Sequence, residues 1–292
     1  MIVNRQALSA VLTGLNTVFN KAFDATESHL DKLATISPSI SSEDDYCWLG
    51  SFPGMREFVG SRHINNPEAF SYTITNRTFE STFGVKREDI EDDKIGIYGP
   101  ITGQLGELSK NHPDELIFDL MKNGFSQKCY DGQYFFDTDH PVKGASVSNV
   151  QAGAGPAWFL LDTSKMVKPF IFQKRRDYKF TAMNKDDDEH VFMKNEYIYG
   201  VDARVNAGYG LWQFAFASKG TLDEANYAAA RAAMRSLKAD SGRPLHVSPN
   251  VLVVGPSMED TARKLLIAQQ NSAGASNIYA GTAELIVSAW LD

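Results

Sequence analysis

The sequence predicts an α+β protein, in which helical and strand-forming segments follow one another in separate stretches. Three observations support this class. The N-terminus places apolar residues at helical spacing, residues 69–85 alternate in the manner of β-strands, and residues 221–292 contain two helix–strand pairs. The chain has 292 residues, of which 43% are apolar, so it can bury the core of one elaborated domain or of two coupled domains.

Charge and cysteine content narrow the functional class. The 29 lysines and arginines stand against 36 aspartates and glutamates, a net charge of −7, which disfavours sequence-specific nucleic-acid binding. Cys47 and Cys129 are too few for a disulfide framework and too far apart for a Cys-x-x-Cys pair, which fits a reducing cytoplasm. The N-terminal apolar residues are interrupted by polar ones, unlike a signal peptide, and no apolar run reaches the roughly 18 residues of a membrane span.

The N-terminal part of the chain predicts an arm followed by a β-ribbon. An amphipathic helix leads into an extended connector at 37–45. Residues 46–52 are rich in aromatic side chains, Pro53-Gly54 is typical of a type II turn, and strands are predicted over 69–75 and 77–85. Because an isolated two-stranded ribbon is marginal in water, we expect the ribbon and the apolar stripe of the first helix to pack on a neighbouring subunit.

A long helix follows an acidic run. The run Glu88 to Asp93 could bind a cation, but negative charge near a helix N-terminus favours a solvated acidic face. The helical pattern covers 101–121 and ends at Asn123-Gly124. Pro113 interrupts it, so the sequence predicts a kink or a break with a new first turn at the following residues.

The strongest candidate for chemistry is the string Asp137, Asp139 and His140, which could ligate the metal of a hydrolase. No second metal-binding motif accompanies it, and Asp131-Gly132 and His140-Pro141 are typical of turns. We therefore expect a structural loop, with no catalytic residue, cofactor or metal. Motifs for nucleotide binding, zinc proteases and serine hydrolases are absent, although a triad built from distant residues remains open.

The rest of the chain predicts a mixed set of elements. Strands are expected at 158–161, 169–172, 195–201, 208–217, 251–254 and 282–291, and helices from a capping box at 221–224 to 239 and from 256 to 270. The basic cluster Lys174-Arg175-Arg176 and the acidic cluster at 185–189 are interpreted either as solvated loops or as contacts with an oppositely charged neighbour or scaffold.

Several strings of uncommon residues occur in a fixed order along the chain. They are Tyr46-x-Trp48-Leu49-Gly50 with Phe52-Pro53, Arg87-x-Asp89-x-Glu91-Asp92-Asp93 with Gly96-Ile97-Tyr98, His112-Pro113-Asp114-Glu115-Leu116, Cys129-Tyr130-Asp131-Gly132-Gln133 through Phe136-Asp137 to His140-Pro141-Val142, Lys168-Pro169-Phe170-Ile171-Phe172-Gln173, and Tyr209-Gly210 with Trp212-Gln213. In these strings, and over essentially its whole length, the chain resembles the Mu-like phage major head subunit family.

The resemblance implies a Hong Kong 97-type phage capsid fold. Its parts would be an N-terminal arm (1–40), an extended β-ribbon loop (41–85), a peripheral domain with a spine helix (86–217) and an axial domain (218–292). In the Hong Kong 97 prototype the unit similar to 221–292 precedes the final sheet strands, whereas here it follows them, which puts the boundary between the two domains in doubt.

The resemblance also implies a function. The chain would be a major capsid protein and not an enzyme, self-assembling as hexamers and pentamers into an icosahedral virion shell around double-stranded DNA that it contacts non-specifically. A separate scaffold, a portal and a decoration protein are the implied partners, assembly would take place in the host bacterial cytoplasm, and no membrane is involved. The alternative is the shell of an encapsulin-like bacterial compartment.

Candidate subunit contacts lie on the ribbon and on the acidic run. The apolar candidates are Trp48, Phe52, Phe58 and Phe70, and the charged candidates are Arg56, Arg62 and Arg77 with Asp92 and Asp93 as acidic partners. No lysine occurs between Lys32 and Lys86, so the ribbon lacks the amine that a covalent lysine-to-asparagine cross-link requires. About 40 residues precede the ribbon, too few for a long helical scaffolding extension, which is why a separate scaffold is expected.

Overall fold

The computed structural model describes residues 4–50, 72–142, 144–185, 188–239, 241–270 and 274–292. Within these ranges the α-helices are α1 (Arg5–Ala25), α2 (Leu30–Leu33), α3 (Arg87–Glu91), α4 (Gly99–Asn123), α5 (Glu189–Lys194), α6 (Glu224–Arg235) and α7 (Glu259–Leu266). Short 3₁₀ turns occur at Ile95–Tyr98, Trp212–Phe214, Pro256–Met258 and Ala289–Leu291.

The strands of the described residues range from 2 to 14 residues in length. They are β1 (Ala34–Pro38), β2 (Glu43–Asp45), β3 (Thr73–Thr75), β4 (Arg77–Lys86), β5 (His140–Val142), β6 (Ala145–Val147), β7 (Val150–Gln151), β8 (Trp158–Leu161), β9 (Phe170–Met183), β10 (Glu196–Tyr209), β11 (Ala215–Ser218), β12 (Val251–Val254) and β13 (Glu284–Val287).

A four-stranded sheet has the order β1-β9-β10-β4. The long strands β9 and β10 form an antiparallel hairpin, and β1 adds to it in parallel while β4 adds antiparallel along its full length. Helices α1 and α4 cover one face of this sheet, where they pack on side chains such as Phe180 and Val201. The sheet therefore gives the long helix a rigid support.

A five-stranded sheet has the order β13-β12-β8-β11-β7, with parallel pairs at its two edges and antiparallel pairs in its centre. All four residues of β8 and of β12 are buried, as expected for central strands covered on both faces. Apolar faces of α6 and α7, including Tyr227 and Leu266, pack into the same core. This core also includes the first residues of β9, such as Phe170, and the last residues of β10, such as Tyr209. One apolar interior therefore joins both sheets.

The predicted first helix is confirmed, but its apolar stripe packs inside its own subunit. Leu8, Val11, Leu15 and Phe19 are all buried in a cluster with residues of β4, β9 and β10. The expectation that this stripe docks on a neighbouring subunit is therefore wrong. The physical reason is that α1 covers aromatic side chains on the face of its own sheet. If α1 docked on a second chain, that face would be exposed to water.

The predicted break at Pro113 is also wrong, because α4 continues from Gly99 to Asn123. Proline removes the hydrogen bond to the carbonyl of Ser109, yet buried residues on both sides of it, such as Leu105 and Ile117, share one helix face. Burial of that face in both halves keeps the helix in one piece. Asp114 does not open a new helical turn; its carboxylate accepts hydrogen bonds from Ser28 and from the backbone N–H of His29, each at 2.8 Å.

The predicted ribbon does not include residues 77–85. β2 pairs with β3 as a two-stranded ribbon, but the predicted strand at 77–85 belongs to the four-stranded sheet as β4. Tyr46 and Leu49 lie in a turn and are buried against the subunit's own core. The Tyr46 hydroxyl donates to Oε1 of the fully buried Gln173 at 2.9 Å. The predicted Pro53-Gly54 turn lies outside the described residues.

The C-terminal predictions hold in order but not in all details. Helix α6 is capped by Asp223, which accepts the N–H of Asn226 at 2.8 Å, and not by the predicted threonine. The predicted strand at 208–217 divides into the end of β10, a 3₁₀ turn and β11. β11 spans the expected domain boundary at 217/218, and its sheet takes strands from both sides of that boundary. The boundary at 217/218 therefore does not separate the two sheets.

Candidate subunit contacts and the buried histidine cluster

Four of the nine contact candidates lie within the described residues, namely Trp48, Arg77, Asp92 and Asp93. The other five, Phe52, Arg56, Phe58, Arg62 and Phe70, lie outside them. Trp48 is 44% exposed and meets Tyr46 edge to face, with 6.1 Å between the ring centroids. Because Tyr46 is buried, it anchors an indole whose other side faces solvent.

The charged candidates sit at opposite ends of one strand. Arg77 begins β4 and packs its guanidinium 5.2 Å from the ring centroid of Phe79. The acidic run begins where β4 ends, and there Asp92 pairs with Lys94 at 2.8 Å, which holds the pKa of the exposed Asp92 carboxyl below its usual value. Asp93 is exposed and has a left-handed φ of 58°. A strand of 10 residues spans about 30 Å, so Arg77 does not reach these carboxylates within its own subunit.

The basic cluster is not a loop. Lys174, Arg175 and Arg176 lie in β9, where Lys174 pairs with Asp177 at 2.7 Å and Arg176 pairs with Asp202. Both ion pairs are formed inside one subunit and are exposed, so each contributes little to stability. In the acidic cluster, Asp188 is the N-cap of α5 and Glu189 is the first residue of this helix, which lies between β9 and β10.

A cleft of about 210 Å³ between α4 and the sheet holds His112 and Tyr178. Nδ1 of His112 lies 2.5 Å from the Tyr178 hydroxyl. Burial lowers the pKa of His112 and raises the pKa of Tyr178, so both side chains are neutral at neutral pH. Phe79 closes the cleft with its ring centroid 4.2 Å from that of His112. His112 and Tyr178 therefore form a packed contact between α4 and the sheet.

The predicted turn at 137–140 is a folded loop, and its residues have separate roles. Asp137 is bonded locally, since its carboxylate accepts backbone N–H groups of Tyr134 and Thr138. His140 points into the protein and is fully buried. Its Nδ1 lies 2.7 Å from Oδ2 of Asp131.

Residues that the sequence reasoning did not select complete this cluster. Cys129 donates its thiol to Oδ1 of Asp131 at 3.1 Å, and burial raises the pKa of that thiol. Asn149 lies 3.2 Å from Nε2 of His140, and the Trp212 ring stacks on the imidazole at 4.0 Å with an interplanar angle of 10°. Cys129, Asp131 and His140 are residue types that also bind metals, but here their donor atoms are hydrogen-bonded to one another. Asp131 occurs in a string already singled out for the family, whereas nothing in the sequence marks Asn149.

Within the described residues, no helix combines the length and the apolar character that crossing a membrane requires.

Comparisons with known proteins agree with this architecture. The family model of the Mu-like prophage major head subunit gpT matches residues 8–291. The major capsid protein of Escherichia phage Mu is 40% identical over 100% of both chains, and the Mu-like prophage FluMu major head subunit of Haemophilus influenzae is 38% identical over 90% of both.

Solved structures show the same relationship at the level of the fold. The procapsid subunit of bacteriophage JBD30 matches with a TM-score of 0.89 and 44% identity over 99% of this chain and 100% of that one. The JBD30 capsid matches with a TM-score of 0.80 and 33% identity over 92% of both chains. The chain therefore belongs to the Mu-like prophage major head subunit family and is a major capsid protein with the Hong Kong 97-type phage capsid fold.

Proposed function

We propose that this capsid protein assembles in the host bacterial cytoplasm, as hexamers and pentamers, around a separate scaffold and a portal, and then encloses double-stranded DNA. The observation that carries the proposal is the match to a procapsid subunit over essentially the whole chain. The net charge of −7 supports contact with DNA that is weak and non-specific, because a net negative chain adheres poorly to the phosphate backbone. One JBD30 capsid is decorated with minor capsid protein trimers, so a decoration protein is a further proposed partner.

The arrangement of charges supports head-to-tail contacts between subunits. Rings of identical subunits need two different complementary faces on each subunit. Arg77 at one end of β4 and the acidic run at the other end provide such faces, since they are about 30 Å apart in one subunit. We propose that Arg77 of one subunit pairs with Asp92 or Asp93 of its neighbour, with Trp48 adding exposed apolar area nearby on the ribbon.

We also propose a division of the subunit by its sheets. The spine helix α4 and the four-stranded sheet would form the peripheral domain, with β1 supplied by the predicted arm (1–40) and β4 mostly by the predicted loop (41–85). The five-stranded sheet with α6 and α7 would form the axial domain, with strands on both sides of the 217/218 boundary that the resemblance implied.

Electron microscopy of negatively stained assemblies tests the shell. The full-length chain is co-expressed with the scaffold of a Mu-like phage, and we expect closed, empty, phage-sized heads. Small particles that enclose an enzyme, or no particles at all, would contradict the proposal.

A charge exchange tests the proposed pair. Arg77→Glu and Asp92→Arg should each reduce the yield of heads at least several-fold, and the double variant should restore much of the yield because the pair is re-formed with its charges exchanged. Arg235→Glu is the matched control, since this exposed arginine ends α6 outside the proposed contact. Single variants that give as many heads as the wild type, or a double variant that shows no recovery, would contradict pairing between these residues.

A further inference from the structure

The buried histidine has a hydrogen-bond acceptor at each ring nitrogen. Nδ1 of His140 faces a carboxylate oxygen of Asp131 at 2.7 Å, and Nε2 faces the amide oxygen of Asn149 at 3.2 Å. A neutral imidazole carries one N–H and one lone pair, so it satisfies only one of two acceptors. Only the doubly protonated ring donates to both.

The orientation of the Asn149 amide is fixed by its other partners. Its NH₂ group donates to the carbonyl of Phe135 at 2.8 Å and lies near the carbonyls of Trp212 and Ala215. Its oxygen accepts the N–H of Asp137 at 2.9 Å. Flipping the amide would turn the oxygen toward three carbonyl oxygens and the NH₂ group toward an N–H donor. The atom that faces His140 is therefore the acceptor.

The Trp212 ring adds a third favourable contact. It lies parallel to the imidazole at 4.0 Å, the geometry in which a flat cation is attracted to the face of an indole. We propose that the folded subunit holds His140 as a buried imidazolium between Asp131, Asn149 and Trp212, and that this cation fastens the 129–140 loop to the five-stranded sheet. The proposal concerns the fold of each subunit and goes beyond shell assembly.

The charges around His140 agree with a cation there. Burial raises the pKa of Asp131, but hydrogen bonds from His140 and Cys129 outweigh it, so the pKa of this carboxyl lies below its ordinary value and the group is ionised. The Cys129 thiol remains protonated as a donor. From the sheet side, Trp212, Gln213 and Asn149 are uncharged. Asp137, another carboxylate of the same loop, bonds to backbone N–H groups.

The residues that contact His140 are far apart in sequence. Asp131 lies in the loop that follows α4 and His140 is the first residue of β5, while Trp212 leads into β11 of the five-stranded sheet. The loop thus connects the end of the spine helix to the sheet proposed as the axial domain.

Solid-state NMR of assembled shells of the full chain, labelled with ¹⁵N-histidine and ¹³C-tryptophan, tests the proposal without any substitution. At pH 8 an ordinary histidine is about 3% charged. We expect one of the six histidines to keep both ring N–H groups at this pH and to show through-space contacts to an indole, as the stacking on Trp212 requires. A neutral ring for the histidine in contact with the indole would overturn the proposal.

Substitutions give an independent readout. His140→Gln should remove the persistent imidazolium signal, and Asp131→Asn should make that ring neutral at pH 8. His140→Gln should also lower the denaturation midpoint, because glutamine carries no charge and lacks the flat ring that stacks on Trp212. His246→Asn is the matched control, because His246 is exposed and asparagine tolerates its left-handed φ of 52°. A denaturation midpoint of His140→Gln equal to that of the wild type would also overturn the proposal.

Discussion

At the scale of single residues, Gly106 sets how closely α1 approaches α4. A Cβ atom at this position would lie 2.5 Å from the carbonyl oxygen of Phe19 and 3.2 Å from Cβ of Ala22. The first contact is with backbone, which a rotamer change cannot relieve. The spacing of the two helices therefore depends on the absence of a side chain at one position.

We expect Gly106→Ala to lower the free energy of unfolding by about 1–3 kcal/mol, because overpacking outweighs the better helix propensity of alanine. Gly103→Ala is the matched control in the same helix, where the nearest neighbouring atom, Cγ1 of Val18, lies at an ordinary 3.7 Å. The control should raise stability by about 0.5–1 kcal/mol. Denaturant unfolding of the unassembled full-length chain measures both, and equal changes would disprove the close approach.

Asp114 links the spine helix to the arm through a buried carboxylate. Burial raises the pKa of Asp114, while its bonds from His29 and Ser28 lower it by less. Because the folded state holds the proton more tightly than the unfolded chain, this group contributes most stability below about pH 4 and loses that contribution as the pH rises through its raised pKa.

Asp114→Asn removes this pH dependence. Relative to the variant, the wild type should therefore lose stability as the pH rises from about 4 toward neutrality. Thermal unfolding across this pH range provides the measurement. Asp119→Asn, at an exposed position of the same helix, should run parallel to the wild type, and a parallel curve for Asp114→Asn as well would rule out the linkage.

At the scale of elements, α1 is part of the subunit's core and not a detachable arm. The ring of Phe19 stacks on Phe180 of β9, with 5.3 Å between centroids, and also lies against Phe23. Removing the helix would expose this aromatic face of the sheet to water. Arm deletion is thus expected to impair folding as well as assembly.

The neighbouring residues Phe19 and Val18 provide a direct test. Phe19→Ala should cost about 3–5 kcal/mol of unfolding free energy, the range for a buried phenylalanine. Val18 is 38% exposed, and Val18→Ala should change stability by less than about 1 kcal/mol. Chemical denaturation of the unassembled chain distinguishes them, and a small effect of Phe19→Ala would show that α1 is not anchored as described.

At the scale of the whole molecule, stability of the shell must come from contacts between subunits. The sequence places no lysine between Lys32 and Lys86, and an arginine guanidinium stays protonated and is a poor nucleophile. Covalent lysine-to-asparagine cross-links from the extended loop (41–85) are therefore not expected. Apolar burial and salt-sensitive ion pairs are expected to hold the subunits together.

Mature particles boiled in detergent should give one band on a denaturing gel, near the monomer mass of 32.3 kDa. Treatment of intact particles with a lysine-reactive cross-linker before boiling is the positive control, since it should produce multimers from the same material. A ladder of covalent multimers in untreated particles would show that another lysine supplies the missing amine.

The sequence by itself determined the order and type of most elements and the family. Periodicity predicted α1, β8 and β12 correctly because these patterns are local, repeating every few residues along one segment. The ordered strings of uncommon residues identified the family, because they can be recognised in the sequence without knowing which residues are in contact.

Only the tertiary structure decided which surfaces meet. It showed that the stripe of α1 is covered by its own sheet, that α4 runs unbroken through Pro113, and that β11 crosses the expected domain boundary. It also brought Asp131 and Asn149 to the two nitrogens of His140, with Trp212 against the ring. These outcomes depend on burial and hydrogen bonds between residues far apart in the chain, such as Phe19 and Phe180, and no periodic pattern within one segment encodes them.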